Sequence, residues 1–394
     1  MQYRTDSKSG NKLSVMGFGC MRFTKNFTQI DLNKAEQLIV KAVQNGINYF
    51  DTAYAYNGSE DALGQILTKN NLREKIFLAT KLPIVKCKKY EDFDLLFKTQ
   101  LDRLHTDYID YYLMHNLGDT ITWNRLCGIG VEKWIKEKKE SGQIKNVGFS
   151  FHGIHDEFMS LLDMYEWDFC QIQYNYLNAD YQAGTAGLKK ASEKGLSVII
   201  MEPLLGGKLA TGLSKKATGL LKAANSSLSP AAWAFRWLWN QKEVTVVLSG
   251  MNELAQLEEN TETAKDAAPG MLTLEEEKTL DSVVGIINET YKIPCTGCNY
   301  CMPCPHNVNI PGCFAGYNAS FTIGFVSGMQ QYVTSTGSLD PEKKYAASNC
   351  QECGTCEKKC PQHIPIIKSL KDVRKKMEPF WLRPALNLYM KFLT

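Results

Sequence analysis

Nine of the 13 cysteines fall between Cys295 and Cys360, and this clustering constrains the fold more than any other feature. Six of them form two C-x-x-C-x-x-C runs, and a Cys-Pro pair follows each run, at Cys304 and at Cys360. Clustered thiols indicate metal binding in a reducing compartment rather than disulfides. The composition shift near residue 285 therefore predicts two domains, residues 1–285 and a metal-binding domain at residues 286–394.

The size and charge of the chain exclude several classes of protein. With 394 residues, of which 44% are hydrophobic, it can bury a large core. Its 45 Lys and Arg nearly balance its 42 Asp and Glu, which argues against a dedicated nucleic-acid-binding protein. We find neither a transmembrane apolar run nor the pattern of a secretory signal, so a cytoplasmic protein is expected.

Short β-rich runs alternate with longer amphipathic segments through the first 285 residues. The predicted strands are 14–19, 49–53, 77–82, 111–115, 146–150, 169–174, 197–203 and 244–250. The intervening predicted helices include 31–44, 59–69, 93–104, 130–140, 155–164 and 184–193. Eight such alternations predict an α/β fold, a parallel (β/α)8 or TIM barrel with its active site at the C-terminal ends of the strands. An open doubly wound sheet is disfavoured, because the turn after the first strand lacks a third glycine.

Four polar residues end or follow predicted strands, where an active site is expected. Asp51 and Tyr56 follow the second strand, Lys81 ends the third and His115 ends the fourth. An ammonium group lowers the pKa of a nearby phenol, a carboxylate keeps the ammonium charged, and an imidazole can orient a carbonyl. We therefore predict these four residues to be catalytic, with a tyrosine as proton donor.

These segments resemble the aldo-keto reductase family. The matching motifs are D-T-A-x-x-Y at 51–56, A-T-K ending at Lys81, L-M-H-N around His115 and Q-I-Q-Y-N at 171–175. The resemblance spans residues 17–260. It implies Tyr56 as general acid, with Lys81 and Asp51 as the pair that tunes it and His115 as the group that orients a small-molecule carbonyl substrate.

The same resemblance implies a nicotinamide dinucleotide across the rim. Ser150 and Gln171 match positions that hold its carboxamide. Phe151 replaces the usual Asn, and Met201 stands where an aromatic ring usually stacks. We therefore expect NAD(P)H as the cofactor.

The positions that usually carry basic residues for a 2′-phosphate correspond to Gly250 and Gln256, so no NADP preference is predicted. FMN is the alternative, because the glycine-containing segments after strands seven and eight lie where barrels often bind phosphates. The predicted cofactor contacts are Gly19, Cys20, Met21, Ser150, Gln171, Met201, Pro203, Leu204, Gly206, Lys208, Ser249, Gly250, Gln256, Glu259 and Asn260.

Three cysteines at two-residue spacing can bind three corners of an iron–sulfur cubane, and a following Cys-Pro serves the other cluster. The two runs resemble two-cluster bacterial ferredoxins, and the 45 residues between Cys304 and Cys350 predict inserted helices. The second domain is thus expected to be small, mainly α-helical and ferredoxin-like, with two [4Fe-4S] clusters. The resemblance implies one ligand set of Cys295, Cys298, Cys301 and Cys360, and another of Cys350, Cys353, Cys356 and Cys304.

Two features of this region depart from the usual ferredoxin pattern. Only two residues, instead of the usual three, precede Cys304, and Cys313 has no assigned role. Structural zinc is the alternative, although it would need paired rather than triple C-x-x-C elements.

The last segment, residues 358–394, carries nine Lys or Arg and two acidic residues. Such a basic segment beside a cluster would dock an acidic ferredoxin or flavodoxin, with a solvated helix face as the alternative. Its apolar end, residues 380–393, would pack on the barrel or on a second copy of the chain.

Together these features predict an oxidoreductase that reduces a carbonyl at the barrel rim with electrons relayed through two clusters. A one-electron donor explains why a carbonyl reductase would carry clusters, and a flavin-dependent, ferredoxin-linked reductase is the enzymatic alternative. A non-enzymatic, redox-responsive binding protein is the other alternative. The presence of all four catalytic residue types disfavours it.

Overall fold

A computed structural model describes residues 1–27, 29–322, 324–336 and 345–379. Eight parallel strands form a closed barrel in which each strand neighbours the next along the chain. The barrel consists of β3 and β6 to β12, and each of its strands overlaps one of the eight predicted strands. The strands are β1 (Tyr3–Thr5), β2 (Lys12–Ser14), β3 (Met16–Gly19), β4 (Lys25–Asn26), β5 (Gln29–Ile30), β6 (Tyr49–Asp51), β7 (Phe77–Leu82), β8 (Ile109–Met114), β9 (Ile144–Phe151), β10 (Phe169–Gln173), β11 (Ser197–Met201) and β12 (Val244–Ser249).

Helices follow the barrel strands, which confirms the predicted (β/α)8 architecture. Capping residues close in sequence help to begin these helices. For example, the Asp31 side chain caps α1 by accepting a hydrogen bond from the Lys34 amide. No described helix is both long and apolar enough to cross a membrane. The helices are α1 (Leu32–Gln44), α2 (Ser59–Lys69), α3 (Tyr90–Leu104), α4 (Thr120–Gly128), α5 (Val131–Glu140), α6 (His155–Met164), α7 (Gly184–Glu193), α8 (Lys208–Thr211), α9 (Lys215–Ala224), α10 (Pro230–Trp239), α11 (Leu254–Thr263), α12 (Leu274–Thr290), α13 (Ile310–Thr322), α14 (Phe325–Thr336) and α15 (Ile366–Met377).

Side chains fill the interior of the barrel and seal its N-terminal end. The ring of Tyr111 lies 5.2 Å from that of Tyr49 and 5.0 Å from that of Phe169, measured between centroids. Its hydroxyl donates to the buried carboxylate of Asp6 at 2.7 Å, and the hydroxyl of Ser197 donates to the same carboxylate at 2.8 Å. Because these contacts close one end, the polar strand ends at the other rim are the place for a site.

The described chain divides into two compact units. The first contains Met1–Pro203 and Ala231–Thr273, and the second contains Leu204–Pro230 and the described residues from Leu274 onward. In the second unit, α9 packs on α12, while α13 packs on α14 and α15. Helices α13 and α14 form the predicted insertion between the two cysteine runs. The domain boundary near residue 285 stays a prediction, and residues 380–394, with Arg383 and Lys391, lie outside the described residues.

Candidate active site

A buried ion pair lies where two neighbouring strands end. Asp51 is the last residue of β6, and Lys81 lies near the end of β7, which pairs with β6. Lys81 Nζ is 2.5 Å from Asp51 Oδ1 and also donates to the carbonyl of Thr52 at 2.8 Å. Lys81 is 1% exposed and Asp51 is 3% exposed. Because removal of either partner would strand a buried charge, each residue holds the other in place.

Two predicted cofactor contacts lie against this ion pair. The Gln171 amide donates to Asp51 Oδ2 at 2.8 Å. Burial raises the pKa of the Cys20 thiol well above its usual value; Asp51 raises it further, and Lys81 opposes the rise. Cys20 is therefore a neutral thiol, and Gln171 completes the hydrogen bonding of the carboxylate.

Tyr56 and His115 complete the cluster. Lys81 Nζ lies 5.0 Å from the centroid of the Tyr56 ring. The ring of His115 meets that of Tyr56 edge-on, with centroids 6.0 Å apart and an interplanar angle of 87°. Both side chains are half-buried. The structure thus brings together the four residues predicted to be catalytic, and their roles stay predictions.

His115 is neutral at physiological pH. Burial, with contributions from the charges of Lys81 and His152, lowers the pKa of His115 to about 3. A neutral imidazole can orient a carbonyl oxygen through its N–H group, but it cannot serve as the proton donor at neutral pH.

Ser150 anchors the loop that follows β8. Its hydroxyl accepts a hydrogen bond from the Asn116 amide at 2.8 Å, and its carbonyl accepts one from the Leu117 amide at 2.9 Å. Its neighbour Phe151 is buried against Phe158, with ring centroids 4.9 Å apart. Ser150 thus holds the backbone that follows His115, and its contact with a cofactor stays a prediction.

Two other predicted cofactor contacts brace the turn after β12. The Asn260 amide donates to the Ser249 hydroxyl at 3.3 Å, and the Gln256 side-chain oxygen accepts from the Asn252 amide at 3.0 Å. Asn260 is buried, so it acts on this rim through Ser249.

Arg22 is a candidate that the sequence analysis missed. Its exposed side chain lies against Gly250: a Cβ atom at Gly250 would be 3.2–3.3 Å from three of its carbons. The pairing of β12 with β3, which closes the barrel, brings these strand ends together. Arg22 therefore brings a positively charged side chain to Gly250, a position where the resemblance leads one to expect a basic residue and the sequence has none.

The predicted contacts after β11 are divided between the units. Pro203 belongs to the first unit, while Leu204, Gly206 and Lys208 belong to the second. Gly206 and the adjacent Gly207 have positive φ values of 69° and 96°, which glycine adopts readily. Lys208 Nζ lies 4.8 Å from the centroid of the Tyr291 ring. The remaining predicted contacts are Gly19 at the end of β3, the exposed Met21, Met201 at the end of β11, and the exposed Glu259.

The first predicted set of cluster ligands surrounds one cavity. Cys295, Cys298, Cys301 and Cys360 all line it. Burial raises the pKa of Cys301 to about 12, and repulsion from the other three thiols adds to the rise. Among the described residues, no three His, Cys, Asp or Glu side chains converge as ligands of a single metal ion. Thiols that repel one another's charge around a cavity fit a cationic iron–sulfur cluster.

The second set is uneven in its exposure, since Cys353 is exposed and Cys356 is buried. Cys304 and Cys350 lie close enough to the buried Cys313 to raise its pKa further, after burial as the main cause. Burial, with a smaller contribution from Cys350, raises the pKa of Cys356 to about 11. Cys353 is exposed, and its thiol donates to the Thr355 hydroxyl at 3.5 Å. The ligand assignments stay predictions.

Comparisons with known proteins match two separate parts of the chain. A model of the aldo/keto reductase family matches residues 15–269, and a model of a 4Fe-4S dicluster domain matches residues 294–365. The chain is 26% identical to a probable aldo-keto reductase 1 of Glycine max, over 64% of this chain and 81% of that protein. It is also 26% identical to an L-galactose dehydrogenase of Arabidopsis thaliana, over 66% of this chain and 87% of that protein.

A solved structure shows the same likeness. It is the holo form of the aldo-keto reductase AKR11C1 from Bacillus halodurans, with a TM-score of 0.58 and 26% identity. The match covers 72% of this chain and 96% of that chain.

We expect His115 to remain neutral from pH 8 down to pH 5, because its pKa lies near 3. An unfolded histidine titrates near 6.5, so the unfolded state takes up the proton first and His115 lowers stability as the pH falls from about 6.5 toward 3. NMR of 15N-labelled histidine side chains measures this directly, with His115→Gln to assign the signals. A His115 signal that titrates between pH 5 and 7 would contradict the prediction.

Proposed function

Because the chain belongs to the aldo/keto reductase family and carries a 4Fe-4S dicluster domain, it is an oxidoreductase, and we propose that it reduces a carbonyl group at the Tyr56 cluster with NAD(P)H. The observation that carries this proposal is the buried Lys81–Asp51 ion pair, which holds a cation 5.0 Å from the Tyr56 ring. Since a relative is named for a sugar, L-galactose, a hydroxylated aldehyde or ketone is the first substrate class to test.

Each residue of the cluster has a separate task. Tyr56 donates its hydroxyl proton to the carbonyl oxygen as negative charge develops there. Lys81 stabilises the resulting phenolate, and Asp51 keeps Lys81 charged and in position. His115, neutral and set at the edge of the Tyr56 ring, donates its N–H to the same oxygen and orients it. NAD(P)H, when bound, supplies the hydride to the carbonyl carbon.

The residues at the barrel rim fit a phosphorylated dinucleotide. The aliphatic part of the Arg22 side chain lies against Gly250, so its guanidinium is carried on the strand end where a dinucleotide phosphate would lie. A guanidinium and a phosphate form charge-assisted, often bidentate hydrogen bonds, so we propose that Arg22 binds the 2′-phosphate of NADPH. No observation favours FMN or a non-enzymatic role, and neither is proposed.

We expect Arg22→Met to raise the KM for NADPH roughly tenfold or more, because a hydrogen bond to a charged group is worth about 1.5–3 kcal/mol. The KM for NADH should change much less, since NADH lacks the 2′-phosphate. Steady-state kinetics with both cofactors measures the difference, and Lys25→Met, at an exposed lysine of β4, is the control. An equal loss with both cofactors, or no loss, would contradict this assignment.

We expect Tyr56→Phe to lower kcat/KM for an aldehyde by roughly 10² or more, which is the usual contribution of a positioned general acid. Lys81→Met should cause a similar loss by removing the cation that stabilises the phenolate. Tyr54→Phe is the matched control, because the Tyr54 ring faces Lys86 and Arg103 instead, at 4.8 Å and 4.5 Å. Full turnover in Tyr56→Phe would assign the chemistry to another group.

We further propose that the C-terminal unit accepts single electrons from an acidic ferredoxin or flavodoxin and relays them to the rim, where two electrons and two protons, one of them from Tyr56, reduce one carbonyl to an alcohol without NAD(P)H. The [4Fe-4S] clusters, when bound by the two cysteine sets, supply this one-electron transfer. Two features support an approach from outside: Cys353 is exposed, and residues 358–379 carry seven basic and two acidic residues. Arg374 and Lys375 of α15 are exposed and available for electrostatic steering.

Protein purified without oxygen should contain about eight irons, and Cys353→Ser should lose most of one cluster.

Loss of a cluster should abolish activity driven by reduced ferredoxin, yet leave activity driven by NADPH nearly unchanged. The reason is that a hydride donor beside Tyr56 reaches the substrate without the clusters. If both activities survive cluster loss equally, the C-terminal unit is structural and the relay is wrong.

The same assay distinguishes docking from electron transfer. A variant with Arg374→Glu and Lys375→Glu should slow only the ferredoxin-driven reaction, and more strongly at low salt. A small low-potential dye should drive this variant as well as it drives the wild type. The control variant carries Lys75→Glu and Lys98→Glu, which change the net charge equally at exposed lysines of the first unit.

A further inference from the structure

Thr296 carries a buried hydroxyl that has no hydrogen-bond partner in the described part of the chain. The residue directly follows Cys295 and is 4% exposed. A buried hydroxyl left unpaired costs about 1–3 kcal/mol. The Thr296 hydroxyl is therefore suited to a hydrogen bond with a bound group that is not part of the described protein.

Thr296 lines the same cavity as the first cysteine set, Cys295, Cys298, Cys301 and Cys360. Much of the remaining lining is apolar, including Ile310, Phe314, Ile364 and Ile366. Asn299 and Gln362 are the other side chains with polar groups there, apart from the thiols. The unpartnered hydroxyl thus lies at the cavity that the four thiols surround.

The backbone on the N-terminal side of Thr296 is held by side chains from other elements. The Tyr291 hydroxyl donates to the carbonyl of Cys295 at 3.3 Å. The Asn318 side chain accepts from the amide of Ile293 at 3.0 Å and donates to its carbonyl at 2.7 Å. These bonds restrain the backbone of the segment that leads to Thr296, so a backbone shift that carried its hydroxyl into solvent would break them.

We propose that the Thr296 hydroxyl donates a hydrogen bond to a sulfur atom of the cluster held by the first cysteine set, and so raises its reduction potential. The proposal rests on the proposed cluster binding. Reduction adds one electron from the outside carrier, with no proton transfer, and makes the sulfur atoms more negative. A fixed donor therefore stabilises the reduced form more than the oxidised form. Thr296 is a positioning and tuning residue rather than a ligand.

The test is a redox titration of the intact holoprotein, followed by electron paramagnetic resonance. In Thr296→Val, the ratio of reduced to oxidised cluster at a given solution potential should fall roughly three- to tenfold for one cluster, as expected for one lost hydrogen bond. The other cluster should be unchanged. Thr296→Ser, which keeps the hydroxyl, should restore the ratio. Thr290→Val is the control, because the Thr290 hydroxyl already donates to the carbonyl of Ile286 at 3.0 Å.

The outcomes separate this inference from the proposed function. If wild-type protein binds no iron, the proposed cluster function is wrong. If Thr296→Val keeps its iron and both potentials are unchanged, the inference about Thr296 is wrong while cluster binding stands. Thr296→Ala is a second variant without the hydroxyl. Loss of one cluster in both Val and Ala, but not in Ser, would also support the contact, whereas loss in Ser as well would overturn it.

Discussion

The candidate site at this barrel rim is organised around one buried ion pair, Lys81–Asp51. Attraction between charges is strong where water is excluded, but each ion loses its hydration, so the pair stabilises only when its other hydrogen bonds are satisfied. The Thr52 carbonyl and the Gln171 amide supply those bonds. Burial makes His115 and Cys20 neutral, and the pair adds to both shifts, because Lys81 disfavours the imidazolium and Asp51 disfavours the thiolate. These neutral states, and the Lys81 ammonium 5.0 Å from the Tyr56 ring centroid, support the proposal that Tyr56 donates the proton.

The barrel itself gives this ion pair its position. At the other end, Asp6 accepts hydrogen bonds from Tyr111 and Ser197 and ties the N-terminal segment to the strands. Aromatic rings fill the interior above that seal. With one end closed and the interior packed, the polar strand ends at the opposite rim are where a substrate can meet several strands at once.

The cysteine-rich unit has the opposite electrostatic problem. Its first set gathers four groups that become negative when they lose their protons, and the mutual repulsion contributes to the raised pKa of Cys301. A cationic iron–sulfur cluster would relieve this repulsion. At the barrel rim, by contrast, the buried cation Lys81 is already paired with Asp51. Exposure varies within the second set, since Cys356 is buried and Cys353 is exposed. The exposed Cys353 is one of the observations that support the proposed approach of an electron carrier.

The sequence alone predicted the eight barrel strands and the grouping of four polar residues at one rim, because both depend on local or repeated patterns. The predicted helices 59–69 and 155–164 agree with the bounds of α2 and α6, since their apolar period and their boundary residues lie within the segment. Asp51, Tyr56, Lys81 and His115 could be grouped because the C-terminal ends of parallel strands share one rim.

The tertiary structure decided the contacts between residues that are far apart along the chain. Gln171 meets Asp51 across 120 positions, and Arg22 lies on Gly250 only because β12 pairs with β3 to close the barrel. The unpartnered hydroxyl of Thr296 likewise lies at a cavity that exists only because α13 and the second cysteine run help to line it. No local pattern encodes such contacts, because they form only when distant segments pack together and shield their charges and hydroxyls from water.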